Sequence, residues 1–352
     1  MNRTIKSCFS RLCIKGLAVL LLLAILLGGC TGGSEREESV LRLGIAVYQQ
    51  EDTFISTVVQ HMERLAREEE LEKDIKISLT ITDGRSNQTV QLEQMDRFLD
   101  QGCDVICVNI VDRTAAAVLI DKAEEAAVPL IFFNRQPVEE DMERWEQVYY
   151  VGAKAAESGR LQGQIVRDLW QNERGQVDRN GNDVLEYVML EGEPGHQDTL
   201  LRTKYAIDAL TSVGIRVRKL ASESANWNRA QAAQKMSLWL EEQGGDIEAV
   251  FANNDDMALG AIDACLSAGL SAESMPLVVG VDATPPALEA IRAGTLKGTV
   301  LNDSEGMAKT MIDLSLALSR GEDPASAAKL EEGHYIWLPY RRIEAKDLSR
   351  EE

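Results

Sequence analysis

Residues 41–66, LRLGIAVYQQEDTFISTVVQHMERLA, carry the pattern on which the fold turns. Leu41–Val47 is an apolar run of strand length. After a polar break, Ile55, Val58, Val59, Met62, Leu65 and Ala66 recur every three or four residues, which puts them on one face of a helix. A strand followed by an amphipathic helix is the unit of a parallel sheet wrapped in helices, since parallel neighbours need a crossover connection. The unit repeats. Further strands are predicted at 75–81, 104–110, 128–133 and 147–151, with helices over 87–101 and 113–126. A second series has predicted strands at 184–190, 214–220, 248–252, 276–281 and 297–301, and helices at 154–172, 198–212, 228–243, 255–269 and 285–293. No Pro-rich or Ser-rich linker divides the two series, so the α/β lobes are expected to be closely joined. A helix over 304–319 and an extended stretch at 334–340 (HYIWLPY) remain to cross back and complete both sheets.

The N-terminal side of this region has a different character. Residues 1–29 hold no acid; Arg3, Lys6, Arg11 and Lys15 precede the apolar run Leu17–Leu27, and Gly28-Gly29-Cys30 follows. This reads as a secretory signal, because the apolar run is short for a permanent membrane helix. The alternatives are an ordinary signal peptide and an uncleaved anchor. Leu27-Gly28-Gly29-Cys30 also resembles the lipobox of bacterial lipoproteins, which makes Cys30 the expected lipidation site and 30–40 an acylated, polar tether. The whole chain of 352 residues has a formal charge of −20, and removal of the four basic residues of the signal takes it to −24. Such an acidic chain lacks the basic footprint of a nucleic-acid binder. Of the six cysteines, Cys8 and Cys13 leave with the signal and Cys30 would be acylated, so Cys103, Cys107 and Cys265 are left and read as buried apolar residues. With only His61, His196 and His334, and no Cys-x-x-Cys, a zinc site has no support.

In open parallel sheets ligands lie beyond the carboxyl ends of the strands. Those ends repeat one chemical choice. Asp52 and Phe54 follow the first strand, Asn134 ends IFFN, His196 and Asp198 follow GEPG, Asn254 ends FANN, Asp282 ends VVGVD and Asn302 ends GTVLN. Asn and Asp can bridge vicinal hydroxyls, and Arg202 can donate two bonds from one fork. Any one of these residues could instead be a helix N-cap or an Asx-turn. Phe54 and Trp227 stand in polar contexts and could sandwich the C–H faces of a pyranose.

The segments IFFN, YYVG, GEPGH, ANND, GVDA and GTVLND resemble the galactose/glucose-type periplasmic substrate-binding proteins of bacterial sugar ABC transporters, over about 41–348. The resemblance implies the periplasmic binding protein type I fold, two Rossmann-like lobes with parallel sheets joined by a three-segment hinge. It divides the chain into an N-terminal lobe of 41–152 plus 303–335 and a C-terminal lobe of 153–302 plus 336–352. It also implies roles. Asp52 and Asn134 bind hydroxyls from the first lobe and Phe54 stacks on one ring face; His196, Asp198, Arg202, Asn254 and Asp282 hydrogen-bond from the second, where Trp227 stacks opposite. Asn302 lies where the chain returns between lobes.

The stretch 178–186, DRNGNDVLE, reads by itself as an incomplete EF-hand loop. Asp178, Asn180 and Asn182 alternate, Val184 can offer its carbonyl, Glu186 follows, and the twelfth-position Glu is missing. The resemblance implies a structural Ca2+ here, with Glu248 as the last ligand. Asp183 stands where Gly is usual, and Asn182 where Asp is.

An enzyme could be built on His196 with Asp198, or on Asp52 with Asp282. There is no nucleophile elbow, P-loop or dinucleotide fingerprint beside them. A sugar-responsive repressor shares the two-lobed fold but carries a basic DNA-binding N-terminus where this chain has an export signal. The expectation is therefore a monomeric, lipid-anchored extracytoplasmic receptor for D-galactose or D-glucose, with an ABC permease as partner and a chemoreceptor left open as a second.

Overall fold

Strands that must be covered on both faces can hold no outward polar position, and three short segments meet that demand. VICV in β3 (Val105–Val108), LIFF in β4 (Leu130–Phe133) and AVFA in β8 (Ala249–Ala252) are buried at every residue. The computed structural model describes residues 40–73 and 75–349. The export signal, Cys30, the tether up to residue 39 and the last residues from 350 lie outside the described residues.

The first lobe runs β1 (Val40–Val47), α1 (Thr53–Lys73), β2 (Lys76–Asp83), α2 (Gln88–Asp100), β3, α3 (Ala116–Ala126), β4 and β5 (Val148–Ala153). The chain enters the second lobe with α4 (Ala155–Asn172), β6 (Leu185–Glu191), α5 (Gln197–Thr211), β7 (Val217–Ser224), α6 (Arg229–Gln243), β8 and α7 (Asp255–Ser267). The lobe continues through β9 (Leu277–Val279), α8 (Pro285–Arg292) and β10 (Thr299–Leu301). Helix α9 (Ser304–Ser319) returns to the first lobe, where Met307, Met311 and Ile312 pack with Ile45 and Ile55. Strands β11 (Tyr335–Leu338) and β12 (Arg341–Ile343) follow.

The first sheet has the order β2-β1-β3-β4-β5-β11 and is parallel throughout. The second has β7-β6-β8-β9, all parallel. Bridges Val279↔Gly298 and Asp282↔Leu301 carry it on to β10, which pairs antiparallel with β12. The two halves therefore match strand for strand, apart from the direction of the last. Each sheet reverses its order beside its first strand, between β1 and β3 and between β6 and β8. The loops at those switch points form the natural crevice.

Two expectations shift. The predicted strand at 214–220 begins late, at Val217, because Gly214 takes φ 84° and the Ile215 amide still bonds back to the Leu210 carbonyl, extending the end of α5. Of the predicted stretch 334–340 only Tyr335–Leu338 is strand, and a second strand follows beyond it at Arg341–Ile343. Ile336, Trp337 and Leu338 pair with Val151, Gly152 and Ala153 of β5, so the last crossing falls at 339–340 and not after residue 335. Cys103, Cys107 and Cys265 are buried and unpaired, as read from the sequence. Among the described residues no helix is long and apolar enough to cross a membrane.

Helices α4 and α5 approach most closely at two glycines. A Cβ on Gly163 would stand 2.1 Å from the Ala206 carbonyl oxygen, and one on Gly159 would stand 2.8 Å from that of Arg202. This backbone contact fixes the height of α5 and hence of Arg202. Gly163→Ala is therefore expected to destabilise by about 1–3 kcal/mol through overpacking, although Ala is intrinsically favoured in a helix by roughly 1 kcal/mol. Urea unfolding measures it, and an unchanged or raised midpoint would show that the helices can separate freely.

Candidate functional site

The carboxyl ends of both sheets face one cleft between the lobes. A small pocket there is walled by Tyr48, Asp52, Phe54, Asn134 and Arg135 from the first lobe and by His196, Asp198, Arg202, Trp227, Asn254 and Asp282 from the second. Nine of the ten residues expected to meet a sugar thus converge on it. Asn302 does not line it; it is buried and donates from Nδ2 to Asp282 Oδ1 at 3.4 Å.

Local structure holds each side chain. Asp52 caps α1, its Oδ1 accepting from the Ile55 amide at 2.8 Å, while Oδ2 accepts from the Tyr48 hydroxyl at 2.6 Å. Asn134 ends β4 with φ 59°, a left-handed turn that Asn tolerates, and the Tyr150 hydroxyl donates to its carbonyl at 2.8 Å. Its Oδ1 accepts from Asn109 Nδ2 at 3.2 Å. Asn254 caps α7 through the Met257 amide and donates to the Trp227 carbonyl at 3.3 Å. Trp227 lies so close to Gly192 that a Cβ there would come within 2.1 Å of the indole. Capping and facing the pocket are thus combined in the same residues.

The electrostatic centre is Arg202, 3% exposed. Nη1 donates to the Asn253 carbonyl at 2.8 Å, and Nη2 to Asp198 Oδ2 at 2.9 Å and to the Tyr340 hydroxyl at 3.3 Å. Asp282 Oδ1 lies 3.9 Å from Nη1. Nε is buried without a partner among the described residues, a donor available to a ligand. Burial raises the pKa of Asp198 against the pull of Arg202, and lifts that of Asp282 well above the carboxylate range. Burial, then Arg135 and Arg202, holds His196 well below its ordinary pKa, so the ring is neutral. Its Nδ1 accepts from the Asp198 amide at 3.1 Å, which leaves the proton on Nε2 as a donor. The pocket therefore presents paired charges, neutral amides and two aromatic faces, a set suited to hydroxyls rather than to a charged group.

Sequence reading missed Tyr48 and Arg135. Arg135 stacks 3.4 Å over the Tyr48 ring and reaches across the cleft to Glu193 at 2.9 Å. On the other edge Thr53 Oγ1 donates to Asp256 Oδ2 at 2.6 Å, a second direct bond between lobes. Both missed residues directly follow positions already singled out, Val47 and Asn134. The space these walls leave is small, about 30 Å³.

A second cluster lies at the loop before β6. Asp178 accepts from the Asn182 and Asp183 amides, both at 3.1 Å, and Asn182 Oδ1 accepts from the Val184 amide at 2.8 Å. Asp183 takes φ 63°, the conformation for which Gly is usual at that position. Glu186 and Glu248 are buried together, Glu248 accepting from the Glu186 and Arg179 amides at 3.0 and 2.8 Å. Burial, with Glu186 adjacent, pushes the Glu248 carboxyl up to about 7. Arg218 reaches Glu186 at 2.9 Å from the surface. The donor chemistry, hard oxygens around a crowded acid pair, fits a divalent cation, although among the described residues no three acidic, His or Cys side chains converge as a metal cluster.

The family model described as a periplasmic binding protein domain matches residues 43–323. The chain is 35% identical over 313 residues to the D-galactose/methyl-galactoside binding periplasmic protein of Haemophilus influenzae, covering 87% of this chain and 90% of that protein. It is 36% identical over 247 residues to a putative rhizopine-binding protein of Rhizobium meliloti, covering 70% and 75%. An ABC transporter solute binding protein from Bacillus halodurans with bound myo-inositol superposes with a TM-score of 0.74 at 26% identity, over 90% of this chain and 99% of that one.

Arg202→Met would leave Asp198 and Asp282 buried without their cation, at an expected cost of about 3–5 kcal/mol near neutral pH. Both acids have raised folded pKa values, so the stability they contribute is complete below the ordinary carboxylate pKa of about 3.9 and is lost as pH rises through the raised values. Removing Arg202 raises them further. The variant's deficit should therefore widen as pH rises above the ordinary carboxylate pKa of about 3.9, as read by urea midpoints; a constant deficit would show that the two acids do not respond to Arg202.

Proposed function

Because the chain belongs to the periplasmic binding protein family, we propose that it is the lipid-anchored, extracytoplasmic receptor of a sugar ABC transporter, closing two lobes around D-galactose or D-glucose and passing the sugar to a membrane permease. The relatives named are binding proteins, and the reading of this chain as a binding protein rather than an enzyme rests on them. The observation that carries the sugar reading is the convergence of Asp52, Asn134, His196, Asp198, Arg202, Asn254 and Asp282 between Phe54 and Trp227. Closure makes this arrangement selective. A hydroxyl of the wrong orientation leaves a buried group of the wall unpaired, at about 1–3 kcal/mol for each missed bond. The hexose assignment is supported by the galactoside-binding relative, which shares more than a third of its residues over most of both chains.

The loop at 178–186 belongs to the same reading as a structural Ca2+ site. Asp178, Asn180, Asn182, Glu186 and Glu248 side chains and the Val184 carbonyl would hold the ion. Its charge would offset the buried Glu186–Glu248 pair, and the gain would be stability of the second lobe far from the cleft.

Calorimetric titration with galactose, glucose, ribose and xylose is expected to give stoichiometric heat with a hexose and no product. No heat from either hexose would overturn the assignment. Asn134→Gly keeps the backbone at ease at φ 59° while removing the amide. It is expected to weaken binding about 5- to 150-fold, the equivalent of roughly 1–3 kcal/mol; unchanged affinity would remove Asn134 from the site. For the metal, Ca2+ at about 100 times its Kd should stabilise the chelated protein by about 2.7 kcal/mol, read as a rise in Tm, and an unaltered Tm would exclude it.

A further inference from the structure

Beside the sugar pocket the cleft opens into a second and larger space. This cavity of about 470 Å³ shares Arg135 and His196 with the pocket wall and is lined in addition by Thr114 and Gln136 from the first lobe and by Glu193 and Gln197 from the second. Its charged groups already have hydrogen-bond partners. Arg135 Nη2 donates to Glu193 Oε2 at 2.9 Å, and Arg113 donates to the carbonyls of Gln136 and Pro137 at 3.1 and 3.3 Å. Asp112 accepts from the Thr114 amide and hydroxyl at 2.9 and 2.8 Å. A phosphate or carboxylate ligand would need a surplus of positive charge, and this wall balances Arg113 and Arg135 with Asp112 and Glu193.

What is left over is neutral and polar. Gln197 Oε1 is buried and has no hydrogen-bond partner, a desolvated acceptor that a ligand hydroxyl would satisfy. The volume lies in the range of small-molecule pockets, whereas the neighbouring sugar pocket leaves about 30 Å³. Arg135 and His196 line both spaces, which are therefore immediate neighbours.

We propose that this cavity is a second hexose subsite, through which the protein takes a disaccharide with one ring in the pocket and the other against Thr114, Gln136 and Gln197. The proposal rests on the monosaccharide reading above. Thr114 and Gln197 line the second space and are not on the wall of the first. They can therefore be altered separately from it. Thr114→Phe fills the cavity, and Gln197→Ala removes the lone acceptor.

The test is calorimetric titration of the full mature chain and both variants with galactose, glucose, melibiose, lactose and maltose. At least one disaccharide is expected to bind within about tenfold of the free hexose. Both substitutions should weaken that disaccharide by about fivefold or more, the scale of one lost hydrogen bond, while hexose affinity stays within about twofold. Hexose binding with no disaccharide binding overturns the subsite and leaves the hexose reading standing. Disaccharide binding indifferent to both substitutions also overturns it. Absence of heat from every sugar overturns both readings together.

Discussion

A guanidinium group removed from water needs partners for its donors, and Arg202 finds them for both of its terminal nitrogens by gathering the cleft around itself. Its partners come from four segments: Asp198 one helical turn earlier, the carbonyl of Asn253 after β8, Tyr340 at the last lobe crossing and Asp282 after β9. None of these segments could shift by an ångström without leaving a charge or a hydroxyl unpaired, which would cost several kcal/mol. The glycine contact between α4 and α5 sets where the group stands; the group then sets where the loops stand. Rigidity of this kind is what a recognition site for hydroxyls requires, since hydrogen bonds discriminate only when the protein side cannot follow the ligand.

The same logic explains how an acidic protein can hold a neutral solute. The charges in the cleft occur as mutually satisfied sets, and burial moves Asp198 and Asp282 toward their neutral forms while keeping His196 uncharged. What a ligand meets is an array of oriented dipoles between Phe54 and Trp227. The net charge of −20 belongs elsewhere, on the solvated faces of the helices. Long-range steering, the usual use of a one-signed field, has no purchase on an uncharged polyol.

The lobes were legible because parallel strands covered on both faces must be apolar throughout, and LIFF and AVFA have no other comfortable state. Asp52, His196 and Asn254 were legible for a less obvious reason. Each was open to reading as a helix cap, and each is one, but the strand-to-helix junction that needs a cap is also the edge of the crevice. Tyr48 and Arg135 escaped because their importance lies in each other and in Glu193, which is 58 positions away along the chain. Asn302 stands outside the pocket wall and supports Asp282, a layering that no one-dimensional pattern encodes. The late start of β7 and the late final crossing reflect hydrogen bonds at boundaries, where Gly214 and the pairing of Ile336 with Val151 decide the residue at which an element begins or ends.

The path of the chain through β11 and β12 has a temporal side. The first lobe is not finished when its first five strands are: α9 fills part of its core, and its sixth strand ends at Leu338. The second lobe waits as well, for Arg341–Ile343 to pair with β10. Neither sheet can therefore close until the chain is present through Leu338 and Ile343, and pairings separated by such long stretches form slowly. Two bodies that look independent in space thus complete their folding together, on one short stretch from Tyr335 to Ile343.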